Sequence, residues 1–282
     1  MRVLITGANG QLGRELQRAL AAHELRAVSH GELDITDTAA LGNGITRFQP
    51  AVVVHCAALT DTTRCEREPN LALQVNASGA EQVARACKAG GASMVYVSTN
   101  EVFDGTKGTP YLESDEAKPI NQYGRSKLEG ERRVQALLEE HYVVRTSWLY
   151  GQGGDNFVSK VLAWAKDGQL TSVTDEIATP TWARDLASAI ARLIEAPRYG
   201  VFHFSNSGEA SRHEWVREIV KLWRVEANLK PITTADFRAS LAPDAIVPPK
   251  PPYSVLANMT GADMGIEMRP WRDALSEYAA ER

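Results

Sequence analysis

Tyr123 and Lys127 stand four residues apart in YGRSKLEGE, at the start of a helix-like run, so their side chains share one face. A phenol of ordinary pKa exchanges protons poorly at neutral pH, and moving it from about 10 to about 7 takes roughly 4 kcal/mol. An ammonium about 4 Å away supplies energy on that order at an effective dielectric near 20. The spacing therefore suits a tyrosine that gives a proton to a carbonyl oxygen while a lysine tunes it. Thr99, in STNEVFDG at 98–105, ends the apolar run Met94-Val95-Tyr96-Val97 and offers a hydroxyl to hold that oxygen. A surface tyrosine above a solvated lysine is the plainer alternative, and a strand running into an Asp104-Gly105 turn is the plainer account of the polar stretch. The surrounding elements decide between them.

The first of those elements is VLITGANGQLGREL, which sets Gly7, Gly10 and Gly13 between a strand-like and a helix-like run. A nucleotide pyrophosphate approaches the backbone at such a junction and meets the helix N-terminus. Three glycines alone are a weak signal, but these occupy the first turn of an alternating chain. Residues 3–5, 51–55, 93–98 and 142–146 read as strands, and 11–22, 71–88 and 124–140 as helices. Strict alternation implies crossovers and a mainly parallel sheet with helices on both faces. The unbroken apolar runs at 51–54 and 94–97 agree, since strands covered on both sides need no alternation.

The expected fold is therefore α/β: a doubly wound parallel-sheet Rossmann domain with a smaller C-terminal substrate domain. Residues 1–150, with about 181–205, would bind the dinucleotide, and 151–180 with 206–282 would bind substrate. Ligands in open α/β sheets lie outside the strand C-termini, which is where Thr99 falls. The carboxylate that would grip an NAD ribose is expected about 20 residues past the loop. That region reads Val28-Ser29-His30-Gly31-Glu32-Leu33-Asp34, with Ser29 and His30 at the strand tip and no carboxylate there. Both NADPH and NADH remain open, and the reading leans to NADPH. The tract PDAIVPPKPPY reads as an extended connector, and Trp271, Leu275 and Tyr278 as a packing face.

Composition bounds the rest. With 282 residues, 44% hydrophobic and 23% charged, the chain is sized for one large domain or two unequal ones. A formal net charge of -4 and no basic stripe argue against nucleic acid as a partner. Cys56, Cys65 and Cys87 are odd in number and lack metal-ligand spacing, so reduced thiols and no metal site are expected. No charged leader precedes the first strand-like run and no apolar stretch approaches about 18 residues, which predicts a cytoplasmic protein without membrane contact.

These motifs, with HCAA, VNASG and YGRSK, resemble the extended short-chain dehydrogenase/reductase superfamily. More narrowly, the chain is similar to the dTDP-4-dehydrorhamnose reductase family through GANGQLG, ELDITD, CAALTD, VFDG, PYLESDEAKPINQYGRSKLEGE, RTSWLYGQGGDNFV and TPTWARDLASAI. The resemblance implies reduction of the 4-keto group of a nucleotide-linked deoxysugar by an enzyme that is a monomer or homodimer. It implies Thr99, Tyr123 and Lys127 as the catalytic set, the last two also touching the cofactor. Gly7, Gly10, Gln11, Leu12, Asp34, Ile35, Cys56, Ala57, Ala58, Thr60 and Ser98 would line the cofactor. Asn100, Glu101, Trp148, Asn156 and Phe157 would face the substrate, although Trp148 could be core and Asn156 a helix N-cap.

Four departures stand out. The family usually has Asp-Tyr at Asn100-Glu101, Val-Asp at Thr62-Thr63, Gln and Gly at Glu176 and Ala178, and arginine at Lys250. Glu101 would place an anion beside a nucleotide diphosphate sugar, and Lys250 would exchange a bidentate clamp for a point charge. The alternatives are a reductase or epimerase of another keto-sugar or carbonyl, and a non-catalytic NADP-binding regulatory subunit.

Overall fold

The computed structural model describes residues 1–282. Its centre is a parallel six-stranded sheet built from β1 (Arg2–Thr6), β2 (Glu24–Val28), β3 (Val52–His55), β4 (Ser93–Thr99), β5 (His141–Thr146) and, later in the chain, β10 (Gly200–His203). The strand order is β10-β5-β4-β3-β1-β2. The chain leaves β1 toward β2 and then crosses to the other side for β3, so the connections leaving these two paired strands diverge and a crevice opens at their C-terminal ends, the place where doubly wound sheets hold their ligands.

Helices cover both faces. Val3 and Ile5 of β1 point to one side, where they pack with Val54, Val95 and Phe202 against Leu12 and Leu16 of α1 (Gln11–Ala19). Leu4 points to the other, with Val53, Met94 and Tyr96, against α2 (Thr38–Phe48) and the helices after β3. The two-sided burial explains why the strand sequences are continuously apolar. The apolar pattern does not announce α2, which carries Gly42 and Gly44; Asp37 starts it by accepting hydrogen bonds from the N–H groups of Ala39 and Ala40.

The helix expected over 71–88 is interrupted. After α3 (Thr62–Arg67) and α4 (Pro69–Leu73), residues Gln74–Gly79 form a π-helical turn before α5 (Ala80–Gly90) resumes. The wider turn carries Asn76, whose amide accepts from Leu59 N at 2.8 Å and donates to Leu59 O at 3.0 Å. A regular helix is given up for a clamp on the loop after β3, a common use of such turns.

The catalytic-looking helix α6 (Gln122–Leu137) follows β4 across an irregular loop. Beyond β5 come β6 (Leu149–Tyr150), α7 (Phe157–Trp164), β7 (Gln169–Val173), β8 (Ile177–Ala178), β9 (Thr181–Trp182) and α8 (Ala183–Leu193), which returns to pack on α1. After β10 the chain adds β11 (Ala210–Ser211) and α9 (Arg212–Leu222). The remaining elements are β12 (Asn228–Ile232), α10 (Thr234–Ala239), α11 (Met259–Asp263) and α12 (Trp271–Ala280). An aromatic core of its own, including Tyr150, Trp182, Trp215, Trp271 and Tyr278, unites this part. The Pro-rich tract is irregular and lies on the sheet's ligand end, where Pro249 O accepts a hydrogen bond from Asn121. No helix is long and apolar enough to cross a membrane.

Candidate active site

A cavity of about 1250 Å³ runs along the C-terminal ends of the sheet strands. Every residue expected to serve catalysis, cofactor or substrate lines it, whereas Thr63, Glu176 and Ala178 of the departures do not. At one end are Gly7, Gly10, Gln11 and Leu12 of the first turn, Asp34 and Ile35 beyond β2, and Cys56, Ala57, Ala58 and Thr60 after β3. Ser98, Thr99, Tyr123 and Lys127 lie along it, as do Asn100, Glu101, Trp148, Asn156 and Phe157.

The glycine loop is built for close backbone approach. Gly7 has φ +71° and a Cβ there would lie 2.8 Å from Ala57 N. A Cβ on Gly13 would lie 2.3 Å from the Gly7 carbonyl oxygen, so the turn closes only with hydrogen in both places. The N-cap of α1 is Gly10, whose lack of a capping side chain leaves the first-turn N–H groups to face an anion. Gln11 Oε1 is buried without a hydrogen-bond partner.

The strand tip differs from expectation. A carboxylate does stand there, because a turn folds Glu32 back so that Ser29 donates to it from both N and Oγ, at 2.8 and 2.6 Å. The same bonds hold the Glu32 carboxyl below its usual range. Asp34 turns inward on its own loop, accepting from Thr36 N at 2.9 Å.

The helix carrying Tyr123 and Lys127 is fixed from three sides. Asn121 caps it by accepting from Gly124 N at 2.7 Å. Glu131 on its inner face receives Arg145 of β5 at 2.7 Å and Ser98 of β4 at 2.5 Å, a buried network that ties helix to strand ends. Gly130 lets the Tyr96 hydroxyl pass, since a Cβ would lie 2.2 Å from it. Ser126 bridges Asn76 Nδ2, at 2.9 Å, and the Tyr123 carbonyl, at 2.8 Å.

The electrostatics depart from simple lysine tuning. Burial and then the Glu101 carboxylate push the Tyr123 phenol well above its ordinary value, while the neighbouring Thr99 hydroxyl pulls the other way. Lys127 sits 4.1 Å from the centre of the Tyr96 ring, and burial pulls its ammonium down to about 7 against the attraction of Glu131. The expectation that Lys127 would lower the phenol is thus replaced: desolvation dominates both groups and keeps the phenol protonated.

At the other end, Glu101 accepts from Lys250 Nζ at 2.7 and 3.0 Å and from Asn121 Nδ2 at 2.6 Å. Two of the four departures are therefore partners, and the anion is neutralised within the protein. Glu176 lies 3.6 Å from Arg212 Nε. Asn100 donates to Ser254 Oγ at 2.7 Å. The Asn156 amide is spent on structure: it caps α7 by accepting from Ser159 N at 3.1 Å and donates to Gly151 O at 2.8 Å. Trp148 has φ +41°, the left-handed region, which costs a non-glycine residue on the order of 1–3 kcal/mol.

A model of the family described as the RmlD substrate binding domain matches residues 1–282. The chain belongs to the dTDP-4-dehydrorhamnose reductase family. It is 39% identical to the dTDP-4-dehydrorhamnose reductase of Streptomyces griseus, over 98% of this chain and 92% of that one. It is 34% identical to the dTDP-4-keto-6-deoxy-D-glucose reductase of Streptomyces niveus, over 98% and 96%. A crystal structure of the family's member from Bacillus anthracis, in complex with NADP, superposes with a TM-score of 0.94 at 35% identity, covering 100% of this chain and 99% of that one.

The glycine cradle, the uncapped α1 N-terminus and the orphaned Gln11 Oε1 fit the dinucleotide that the family implies. Sequence reasoning missed three groups in this member of the family. Asn121 reads as one more polar loop residue until its amide is seen to join Glu101, Pro249 and α6. Glu131 and Arg145 lie 14 positions apart, with no local pattern to pair them. Arg212 hides behind its neighbour, since Ser211 and Glu214 form a capping box that fully explains SRHE as a helix start. The available signal was a cation in the first turn, where the helix dipole disfavours it.

Proposed function

We propose that the protein is an NAD(P)H-dependent reductase of the 4-keto group of a nucleotide-linked deoxysugar, converting dTDP-4-dehydro-L-rhamnose to dTDP-L-rhamnose. The observation that carries this reading is one cavity that starts at the glycine loop, passes Thr99, Tyr123 and Lys127, and ends among Trp148, Arg212 and Lys250. Its volume of about 1250 Å³ exceeds an ordinary single-ligand pocket of about 300–1,000 Å³. The names of the relatives support a dTDP-linked keto-sugar as the second occupant. Residues 1–150 with about 181–205 serve the cofactor, and 151–180 with 206–282 serve the sugar nucleotide.

NADPH or NADH, when bound against the glycine loop, supplies the hydride for the carbonyl carbon. Tyr123 then donates its phenolic proton to the oxygen as negative charge develops there, so that ketone, hydride and proton give the alcohol. Burial and Glu101 keep the phenol protonated before the reaction, which leaves its proton in place but makes it harder to release, so the transfer depends on the charge that develops on the carbonyl oxygen. Thr99 Oγ1 donates to Asn100 Oδ1 at a long 3.3 Å, a weak bond that a carbonyl oxygen displaces. Lys127, on the same face, stabilises the phenolate left after transfer.

Turnover with NADPH over a panel of 4-keto-6-deoxysugar nucleotides tests this reading. Preference for dTDP-4-dehydro-L-rhamnose is expected. Preference for a different sugar on dTDP favours the second reading, a reductase of another 4-keto-6-deoxysugar, which the Streptomyces niveus relative supports. Absence of turnover with every keto-sugar nucleotide overturns both.

A further inference from the structure

Arg212 is a guanidinium without a close acceptor in the substrate end of the cavity. Its carbon lies 3.7 Å from the centre of the Trp148 ring, 4.8 Å from Phe157 and 5.7 Å from Trp215. Trp148 and Trp215 are themselves stacked, 5.4 Å apart at 9°. Stacking on aromatic faces fixes the plane of an arginine and leaves its edge, with the N–H groups, free to act as a fork. The nearest carboxylate oxygen, on Glu176, stands 3.6 Å from Nε, longer than the about 2.7–2.9 Å of a charge-assisted hydrogen bond. The side chain lines the cavity.

Its placement is costly in every respect but one. Burial disfavours its charge, with Glu176 and Glu101 offsetting part of that. It is the first residue of α9, capped by Ser211, so a cation sits at the positive end of a helix dipole. Both costs reverse when an anion arrives. Among the other cations that line the cavity, Lys250 is already bonded by Glu101 at 2.7 and 3.0 Å. Trp148 is meanwhile held in a left-handed backbone conformation that aims its ring under the guanidinium.

We propose that Arg212, seated on Trp148, is the residue that grips the diphosphate of the nucleotide sugar, and so makes the enzyme select a nucleoside-diphosphate-linked carbonyl over a free one. The inference rests on the reading of the cavity as a keto-sugar nucleotide site, and it names the group that recognises the charged part. A bidentate fork suits two phosphate oxygens in one plane, which a lysine at the same place cannot match.

The test is the dissociation constants of dTDP, thymidine, UDP and uridine for the NADPH-loaded wild type, Arg212→Gln and Arg212→Lys. A hydrogen bond between charged groups corresponds to roughly 10- to 100-fold in affinity. The expected result is that Arg212→Gln weakens dTDP by that factor, that Arg212→Lys restores part of it, and that thymidine moves less than about twofold. NADPH affinity, read by fluorescence, is expected to stay within about twofold, which reports an intact fold. Equal weakening of dTDP and thymidine overturns the inference, because Arg212 would then only support Trp148, and so does unchanged dTDP affinity. If the wild type takes UDP but no thymidine compound, and UDP but not uridine depends on Arg212, the inference stands while the thymidine assignment falls.

Discussion

The Glu101 carboxylate and the Lys250 ammonium, 149 positions apart in the chain, meet at 2.7 Å beside the start of α6. Through Asn121, which donates to Glu101 and caps α6, the pair ties the Pro-rich tract to the helix that carries Tyr123. Reading either residue by itself misses the pairing, since one reads as an anion beside a nucleotide diphosphate sugar and the other as a point charge in place of a bidentate clamp. A double-mutant cycle with Glu101→Gln and Lys250→Met is expected to show a coupling of about 1–2 kcal/mol in unfolding free energy. Additive effects would show that the pair carries no joint stability.

Tyr123→Phe removes the proton donor and keeps the ring. Turnover is expected to fall roughly 10²- to 10⁴-fold, while NADPH affinity stays within a few-fold. Single-turnover oxidation of bound NADPH separates the two quantities. Near-normal turnover would end the assignment of Tyr123 as the acid.

Lys127 makes the stability of the ligand-free protein depend on pH. Its ammonium has a folded-state value of about 7 against an ordinary 10.5. Between those values the unfolded chain binds a proton that the folded one lacks, so this contribution to stability rises with pH and is least favourable below about 7. Lys127→Met is expected to raise the melting temperature by several degrees at pH 6.5, with the gain shrinking toward pH 10, and to abolish turnover. A lower melting temperature at pH 6.5 would contradict the desolvation account.

Glu32 accepts both donors of Ser29 at the tip of β2. An anion there opposes a 2′-phosphate, so Glu32→Gln is expected to shift the ratio of NADPH to NADH affinity toward NADPH by about 5- to 10-fold. Titration of both cofactors into wild type and variant measures it. An unchanged ratio would place the ribose out of reach of Glu32.

Gly13→Ala meets the Gly7 carbonyl oxygen, with 2.3 Å available. The loop must open, and NADPH affinity is expected to fall at least about 10-fold, alongside a loss of roughly 1–3 kcal/mol in stability. Calorimetry with and without NADPH reads both.

What the chain made legible was whatever depends on neighbours in sequence. The parallel sheet follows from alternation, the glycine loop from one turn, and the shared face of Tyr123 and Lys127 from helical spacing. Helix α2 was hidden because its glycines blur the apolar period, and the π turn at 74–79 because a tertiary bond from Asn76 overrides the helix. Charge partners such as Glu101–Lys250 and Glu131–Arg145 arise only once the sheet has brought distant segments together. Tyr123 was misjudged in its electrostatics for a related reason: spacing shows a nearby cation but not the depth of burial around it.

The glycine loop touches its surroundings backbone to backbone: Gly13 against the Gly7 carbonyl, and Gly7 against the Ala57 amide. A second mutation elsewhere cannot make room for an atom pressed against the main chain. At the other end Glu101 and Lys250 meet through side chains, and such a contact can be traded if both partners change in step. One end of the cavity is thus held by main-chain contacts and the other by exchangeable side chains. A change at the glycine loop has to be answered by moving main chain, whereas at the other end an exchange of two side chains is enough.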